Sequence, residues 1–368
     1  MKKVILVGGG HAHVFVLDYL IKNTPADVDV TIISPSAWQD YSGMLPGWMA
    51  GYYDLSDCRI NVKALAFRAN VTFIEDVVMD MRADESYVVL GDGRRLNYDI
   101  LSLDIGSETH LGSLSEIGSG LVPIKPFDQF RDTWHRIVQT SQEVPNYKLI
   151  IVGGGAAGVE LAFAARSALI AHSPLSKVTL VAGRRGVLWN HGEAVRRRVV
   201  NQLDKQGIHV ISQRATGDSG RLLLDDGHVL TADHIIAATN SSPAQWLKQS
   251  QMALSTDGYV SVNAHHCSVS HANIFAAGNV CSREDINLER SGVHAVKAGP
   301  VLAHNIFACL EEKPLKSYCP GQRSLYLLLC SNHRAIASWG RYSAEGVWVW
   351  RIKNWIDRGF IQRFTLKP

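Results

Sequence analysis

The chain has 368 residues, 46% of them hydrophobic and 19% charged, which is ordinary globular material with length for two to three domains. Its 37 Lys and Arg against 34 Asp and Glu leave a formal net charge of +3, too small an excess to argue for nucleic acid. No apolar run reaches the ~18 residues of a membrane-spanning helix, and the N-terminal run Val4 to Val7 is too short for a signal peptide, so a cytoplasmic protein is expected.

The elements in chain order show one pattern twice. Lys2 to Val7 is an apolar run fit for a strand buried on both faces, and it enters Gly8-Gly9-Gly10 and then a helix-like stretch. A second strand is expected over Val28 to Ser34. A hairpin with an Asp92-Gly93 turn and a strand-to-loop stretch, Tyr98 to Ser107, follow. The second copy opens at Lys148 to Val152, with Gly153-Gly154-Gly155 and a helix. It continues through a strand at Val178 to Ala182, an Asp226-Gly227 turn and the stretch Ala232 to Ser241. This internal repeat predicts an α/β fold of two Rossmann-like three-layer dinucleotide-binding domains. Later come Gly258 to Val262, Ile274 to Asn279 and a helix over Gly292 to Leu310. A small C-terminal α+β segment closes the chain. It has a strand pair, Ser324 to Cys330 and Ala335 to Gly340, and an aromatic, basic stretch, Trp348 to Phe364. Alternation of Trp348 and Trp350 reads as a strand at first.

The glycines carry the chemistry. The first allows the tight turn, the second lets backbone approach a pyrophosphate, and the third lets helix and strand pack closely. The helix N-terminus then offers free amides to the phosphates. Gly153, Gly155 and Gly158 fit the full pattern; Gly8 and Gly10 fit, but His13 stands where the third glycine is usual. The acid that normally takes the ribose hydroxyls is missing twice, with Ser34 before Pro35 in one copy and Ala182-Gly183 in the other. Arg184 and Arg185 follow at once, as acceptors of a 2′-phosphate or as a solvated turn.

These residues resemble the pyridine nucleotide-disulfide oxidoreductase superfamily over nearly the whole chain. The resemblance is strongest to the type II NADH dehydrogenase and sulfide:quinone reductase branch. The runs Gly8 to His13, Tyr41 to Trp48 and Trp350 to Arg358 look like the NADH-dehydrogenase-like module found fused to selenide, water dikinase. The resemblance implies FAD on residues 1–112 and 257–312, NAD(P)H on residues 113–256, and a C-terminal segment at 313–368. Hydride would pass from nicotinamide to flavin, and electrons onward to a quinone or similar small acceptor. It implies FAD contacts at Gly8, Gly10, His11, Ala12, His13, Ser34, Pro35, Pro46, Gly106, Gly278, Asn279 and Val293. NAD(P)H contacts fall at Gly153, Gly155, Ala156, Ala157, Gly158, Arg184, Arg185 and Asn240.

Two catalytic residues are implied. Glu160 lies near the nicotinamide, against the competing view of an acid placed in a first helical turn by the macrodipole. Lys297 lies at the flavin pyrimidine edge, against a solvated lysine. Asn279 departs from the usual Gly-Asp pair and loses a charge-assisted bond. His13 reads as packing near the adenine or pyrophosphate. The six cysteines, Cys58, Cys267, Cys281, Cys309, Cys319 and Cys330, form no Cys-x-x-Cys pair, and no metal site is expected. Rival readings are a sulfide- or selenide-oxidising flavoenzyme, which needs a reactive thiol pair, and a non-catalytic nucleotide-sensing module. The basic, aromatic tail suits docking on the flavin domain, a homodimer contact, or the inner face of a membrane. A separate selenide, water dikinase is a further candidate partner.

Overall fold

The computed structural model describes the whole chain except Thr24, Gln322, Ser331 and residues 366–368, so the last three residues of the expected C-terminal segment lie outside it. Two five-stranded parallel sheets carry the fold. The first runs in the order Ile274–Ala276, Ile100–Leu103, Lys2–Val7, Val28–Ser34, Thr72–Glu75. The second runs Leu121–Pro123, His234–Ala237, Lys148–Val152, Lys177–Val181, His209–Ile211. Equivalent strands hold equivalent places, and even the register repeats. Val7 pairs with Ile33 and Leu103; Val152 pairs with Val181 and Ala237. Both glycine loops therefore leave their sheets at the same point, where helix N-termini gather beyond the carboxyl ends of the strands. One difference is topological: the outermost strand arrives last in the first unit and first in the second.

Burial on both faces explains the unbroken apolar runs. In the first unit, Val4, Leu6 and Ile32 face one core, while Ile5, Val7 and Ile33 face another. The first core is closed by the helices His11–Lys22 and Gly292–Leu310. Their contact is close because Phe15 lies directly against Gly299, where a β-carbon would overlap the ring, and Tyr19 stacks on Phe307 at 5.1 Å. The other core receives Met81, Val88 and Leu90 from an antiparallel three-stranded sheet, Val78–Arg82, Tyr87–Leu90 and Arg95–Asn97. The second unit has the same accessory sheet at Ala215–Asp218, Arg221–Leu224 and Val229–Leu230. Gly93 and Gly227 take φ values of +83° and +84° in the two Asp-Gly turns, a conformation open to glycine at no steric cost.

The tail corrects the sequence reading twice. A third strand, Tyr342–Gly346, joins Leu325–Leu329 and Ala335–Trp339. The helix then starts at Val347 and runs to Phe364, so Trp348 and Trp350 are helical. Its buried face is Val349, Lys353, Asp357, Ile361 and Phe364, at helical spacing. Two charged residues sit on that buried stripe, while Trp348, Ile352, Trp355 and Ile356 face outward. Polarity is thus inverted along part of the helix, which disguised its period. Phe360 and Phe364 pack on Tyr41 and Phe15, docking the helix on the first unit. Among the described residues no helix is long and apolar enough to cross a membrane.

A β-carbon on Gly158 would overlap the Gly153 carbonyl, whereas one on Gly155 would meet nothing within 4 Å. Gly158→Ala is therefore expected to cost about 2–4 kcal/mol of stability in urea titration, and Gly155→Ala under about 1 kcal/mol.

Candidate functional site

The second loop is an open cradle. Gly153 has φ +141° and lies against Ala238, and Gly158 lies against Gly153, so the helix Ala156–His172 sits close under its strand. Open space lies over Gly155, and Ala157 is exposed. The amides of Ala156 and Ala157 start that helix, and its cap residue contributes no side-chain hydrogen bond. Such amides accept a diphosphate without rearrangement.

The first loop solves the same problem with different residues. Gly8 keeps a positive φ of +93°. At the third-glycine position, the His13 ring reaches the very carbonyl that Gly158 packs against in the other copy. Its Nδ1 lies 2.6 Å from Gly8 O, and its Nε2 lies 2.8 Å from Ser102 Oγ. A carbonyl can only accept, so Nδ1 carries the proton and Nε2 accepts from the serine hydroxyl. Burial lowers the His13 pKa to about 4, which keeps the ring neutral. His13 thus points into the core and ties helix to strand.

Sequence reasoning missed Asp104. It follows the strand Ile100–Leu103 as Ala238 follows His234–Ala237, and each donates its amide to the central strand, at Val7 and Val152. Its side chain is buried under the first helix, where Oδ2 accepts from Ala12 N at 2.7 Å and His13 N at 3.0 Å. Burial pushes the carboxyl up to about 7, against the lowering effect of those two amides. An acid ending an otherwise apolar strand was the available signal.

Around these loops the expected contacts take definite positions. Ser34 is buried, donates to Ser36 O at 2.9 Å and lies over Gly9, while Pro35 is exposed. Gly106 is open with φ +71°, and beside it Lys125 donates to Ser107 Oγ at 3.0 Å. His11 packs between Tyr41 and Phe360; burial and then the Lys125 charge lower its pKa to about 4, and its buried Nε2 has no partner among the described residues. Gly278 and Asn279 line a cleft with His266, Arg283, Arg290 and His294. Asn240 is exposed, and its carbonyl accepts from His110 N. Arg184 is paired with Asp225 at 2.7 Å, which supports a solvated turn there, while Arg185 stacks on Trp189 at 4.4 Å. Val293 lies in the first turn of the helix Gly292–Leu310, and Gly292 borders Ser42. Lys297, one turn on, is exposed and makes no salt bridge among the described residues.

Glu160 is the fifth residue of its helix, not a first-turn residue, so the macrodipole does not account for it. Its Oε1 accepts from Leu329 N at 2.7 Å. Burial raises its carboxyl to about 7, with the Lys353 charge and the Leu329 amide opposing. Lys353 is buried, donating to Asp357 Oδ2 at 2.8 Å and Gly43 O at 2.7 Å, and Tyr41 donates to Asp357 Oδ1 at 3.3 Å. Burial alone would lower this ammonium, but the charges of Asp357 and Glu160 outweigh it and hold it above the usual range. The helix of the second loop, the Tyr41 to Trp48 run and the tail helix therefore meet at one ammonium between two carboxyls. Pro46 is buried in the short helix Leu45–Met49, and Trp48 packs on Phe127 and His135 of the second unit, so this run is a joint between units.

This geometry, two glycine loops at the matching ends of two parallel sheets, defines a two-dinucleotide-binding oxidoreductase fold. The family model for pyridine nucleotide-disulphide oxidoreductases matches residues 2–305, and the chain belongs to that family. Its members use FAD with NAD(P)H. The chain is 23% identical to the NADH dehydrogenase-like protein YutJ of Bacillus subtilis, covering 77% of each. It is 29% identical to a benzene 1,2-dioxygenase system ferredoxin–NAD(+) reductase subunit of Pseudomonas putida, over 56% of this chain and 48% of that subunit. The sulfide:quinone oxidoreductase of Aquifex aeolicus superposes with a TM-score of 0.81 at 17% identity, covering 99% of this chain and 91% of that one. NDH2 from Plasmodium falciparum does so at 0.82 and 13%, covering 99% and 97%. The Gly155 cradle fits NAD(P)H as it stands. The first loop fits FAD in shape, with two helix amides already held by Asp104.

Lys353→Met leaves the buried Asp357 and the partly buried Glu160 without their cation, at an expected cost of about 3–5 kcal/mol near neutral pH. Both acids then have folded pKa values further above their unfolded ones. The deficit should grow as pH rises and fade toward acid, where protonated acids need no cation. Urea titrations of wild type and variant at about pH 5 and about pH 8 check this sign.

Proposed function

We propose that the chain is an FAD-dependent NAD(P)H oxidoreductase that passes electrons to a small acceptor of the quinone class. One observation carries the reading: the helix that starts at the open Gly155 cradle also carries Glu160, whose carboxyl accepts from Leu329 N and feels the Lys353 charge of the tail helix, itself bonded to Gly43 O. Nicotinamide side and acceptor side thus share one acid. Bound FAD supplies the two-electron store between them. Gly155 leaves the Ala156 and Ala157 amides open to the nicotinamide diphosphate. The positive end of the helix Gly292–Leu310, with Gly292 beside Ser42, favours negative charge in the pocket, and Lys297 adds to that field. Quinone reduction consumes two protons. A carboxyl held at about 7 both gives and takes a proton at neutral pH, and Lys353 keeps its charged form bound.

Tyr41, Pro46 and Phe360 give the acceptor an apolar wall. The likeness to a sulfide:quinone oxidoreductase and to NDH2 supports that class of acceptor. The outward Trp348, Ile352, Trp355 and Ile356, with Arg351 beside them, suit a lipid surface, where such acceptors dissolve. Sulfide oxidation is disfavoured by the thiols. Burial, aided by Asp104, pushes Cys281 to about 12; burial, aided by Glu160 and Glu345, pushes Cys330 up as well, and protonated thiols are poor nucleophiles.

The test is anaerobic absorbance of the FAD-loaded protein. NADH or NADPH should bleach the flavin band of wild type, and Gly155→Trp should keep its FAD and lose the bleaching. Bleaching that survives in Gly155→Trp, or that neither coenzyme produces in wild type, would refute the reading. Glu160→Gln should slow re-oxidation by a soluble quinone by about 10²-fold or more while FAD content stays unchanged.

A further inference from the structure

We infer that Asp104 is the proton-accepting group of the FAD site, holding the cofactor as a neutral carboxyl so that FAD binding takes up one proton. The inference rests on the cofactor assignment above and concerns how the first loop accepts a dianion. In a glycine loop of this kind the helix amides belong to the diphosphate. Here Asp104 Oδ2 already accepts from Ala12 N and His13 N. Its other oxygen, Oδ1, has no hydrogen-bond partner among the described residues, although the residue is only 4% exposed. Oδ1 faces the cradle: a β-carbon on Gly278 would come within 2.8 Å of it, and one on Gly10 would overlap it. Gly10 and Gly278 are both expected FAD contacts.

The carboxyl is walled in. Gly8 and Gly10 press on the Asp104 carbonyl and side chain, and its amide is fixed on Val7 O. Swinging it aside would orphan two buried amides. An ionised Asp104 beside a diphosphate puts like charges together in a poorly solvated place, which favours the neutral form of the acid. Taking a proton from solvent removes the repulsion and turns Oδ1 into a donor aimed at the incoming anion. The buried carboxyl is already pushed up to about 7 before any ligand arrives. The groups that face it do not compete for that proton. From the first helix, burial lowers the His13 ring to about 4; from the strand after Asn279, burial pushes the Cys281 thiol up to about 12. The helix Gly292–Leu310 presents Ala295 here. The second loop is the internal control, because Ala238 stands where Asp104 does.

The experiment measures FAD affinity by flavin fluorescence on the apo-protein, and NAD⁺ affinity by calorimetry on the FAD-loaded protein, from about pH 5.5 to about pH 9. The FAD Kd should be flat at acid pH and rise about tenfold per pH unit above about 7, whereas any pH dependence of the NAD⁺ Kd should follow Glu160 and persist in Asp104→Asn. Asp104→Asn keeps an acceptor for the two amides and offers a fixed donor in place of Oδ1–H. Its FAD Kd should not vary with pH, and above about pH 8 it should be at least about tenfold tighter than wild type. Calorimetry of wild type at about pH 8 in two buffers of different ionisation enthalpy should show close to one proton taken up per FAD, which keeps the inference testable if the variant fails to fold. Tight FAD binding with a flat wild-type profile and no proton uptake overturns this inference alone. No FAD binding at any pH overturns it together with the cofactor assignment.

Discussion

Backbone amides at the N-terminus of a helix need an acceptor, and this chain satisfies that need in two ways at two equivalent places. At the second loop the amides are left to a ligand, and three glycines let the helix sit hard against its strand. At the first, His13 stands at the third-glycine place and Asp104 at the place of the alanine opposite it, so a ring and a carboxyl lie between helix and strand. These two departures are coupled. The His13 ring bridges Gly8 and Ser102, and the His13 amide bonds Asp104. One duplicated scaffold has become one open dinucleotide cradle and one that carries its own acid.

The second organising feature is the ammonium of Lys353. It holds the tail helix to Gly43, pairs with Asp357 and moderates Glu160 from the other unit. A buried cation between two acids is expensive to desolvate and adds little net stability. Its presence where three separate segments meet is better explained by proton chemistry than by packing.

Much of this was legible in the sequence because parallel strands and glycine loops leave strong local signatures. The runs Lys2 to Val7 and Lys148 to Val152, the Asp-Gly turns, and the helix Gly292–Leu310 fell where the residues indicated. What escaped notice was set by tertiary contacts. Lys353 and Asp357 lie on the buried face of the tail helix, because beyond their own pairing they bond Gly43 and Tyr41, far away in the chain. Asp104 escaped for the same reason: nothing local says that its carboxyl reaches the helix that begins at His11. His13 was noticed as an anomaly, but its role needed Ser102, from a distant strand, to be understood.

The central claim is that the two loops are not interchangeable, one taking FAD and the other the nicotinamide coenzyme. Calorimetric titration of NAD⁺ into FAD-loaded protein tests it most directly, with FAD content assayed before and after. The account predicts one NAD⁺ per chain, with FAD retained throughout. Displacement of FAD by NAD⁺, or a second equivalent NAD⁺ site, would contradict it.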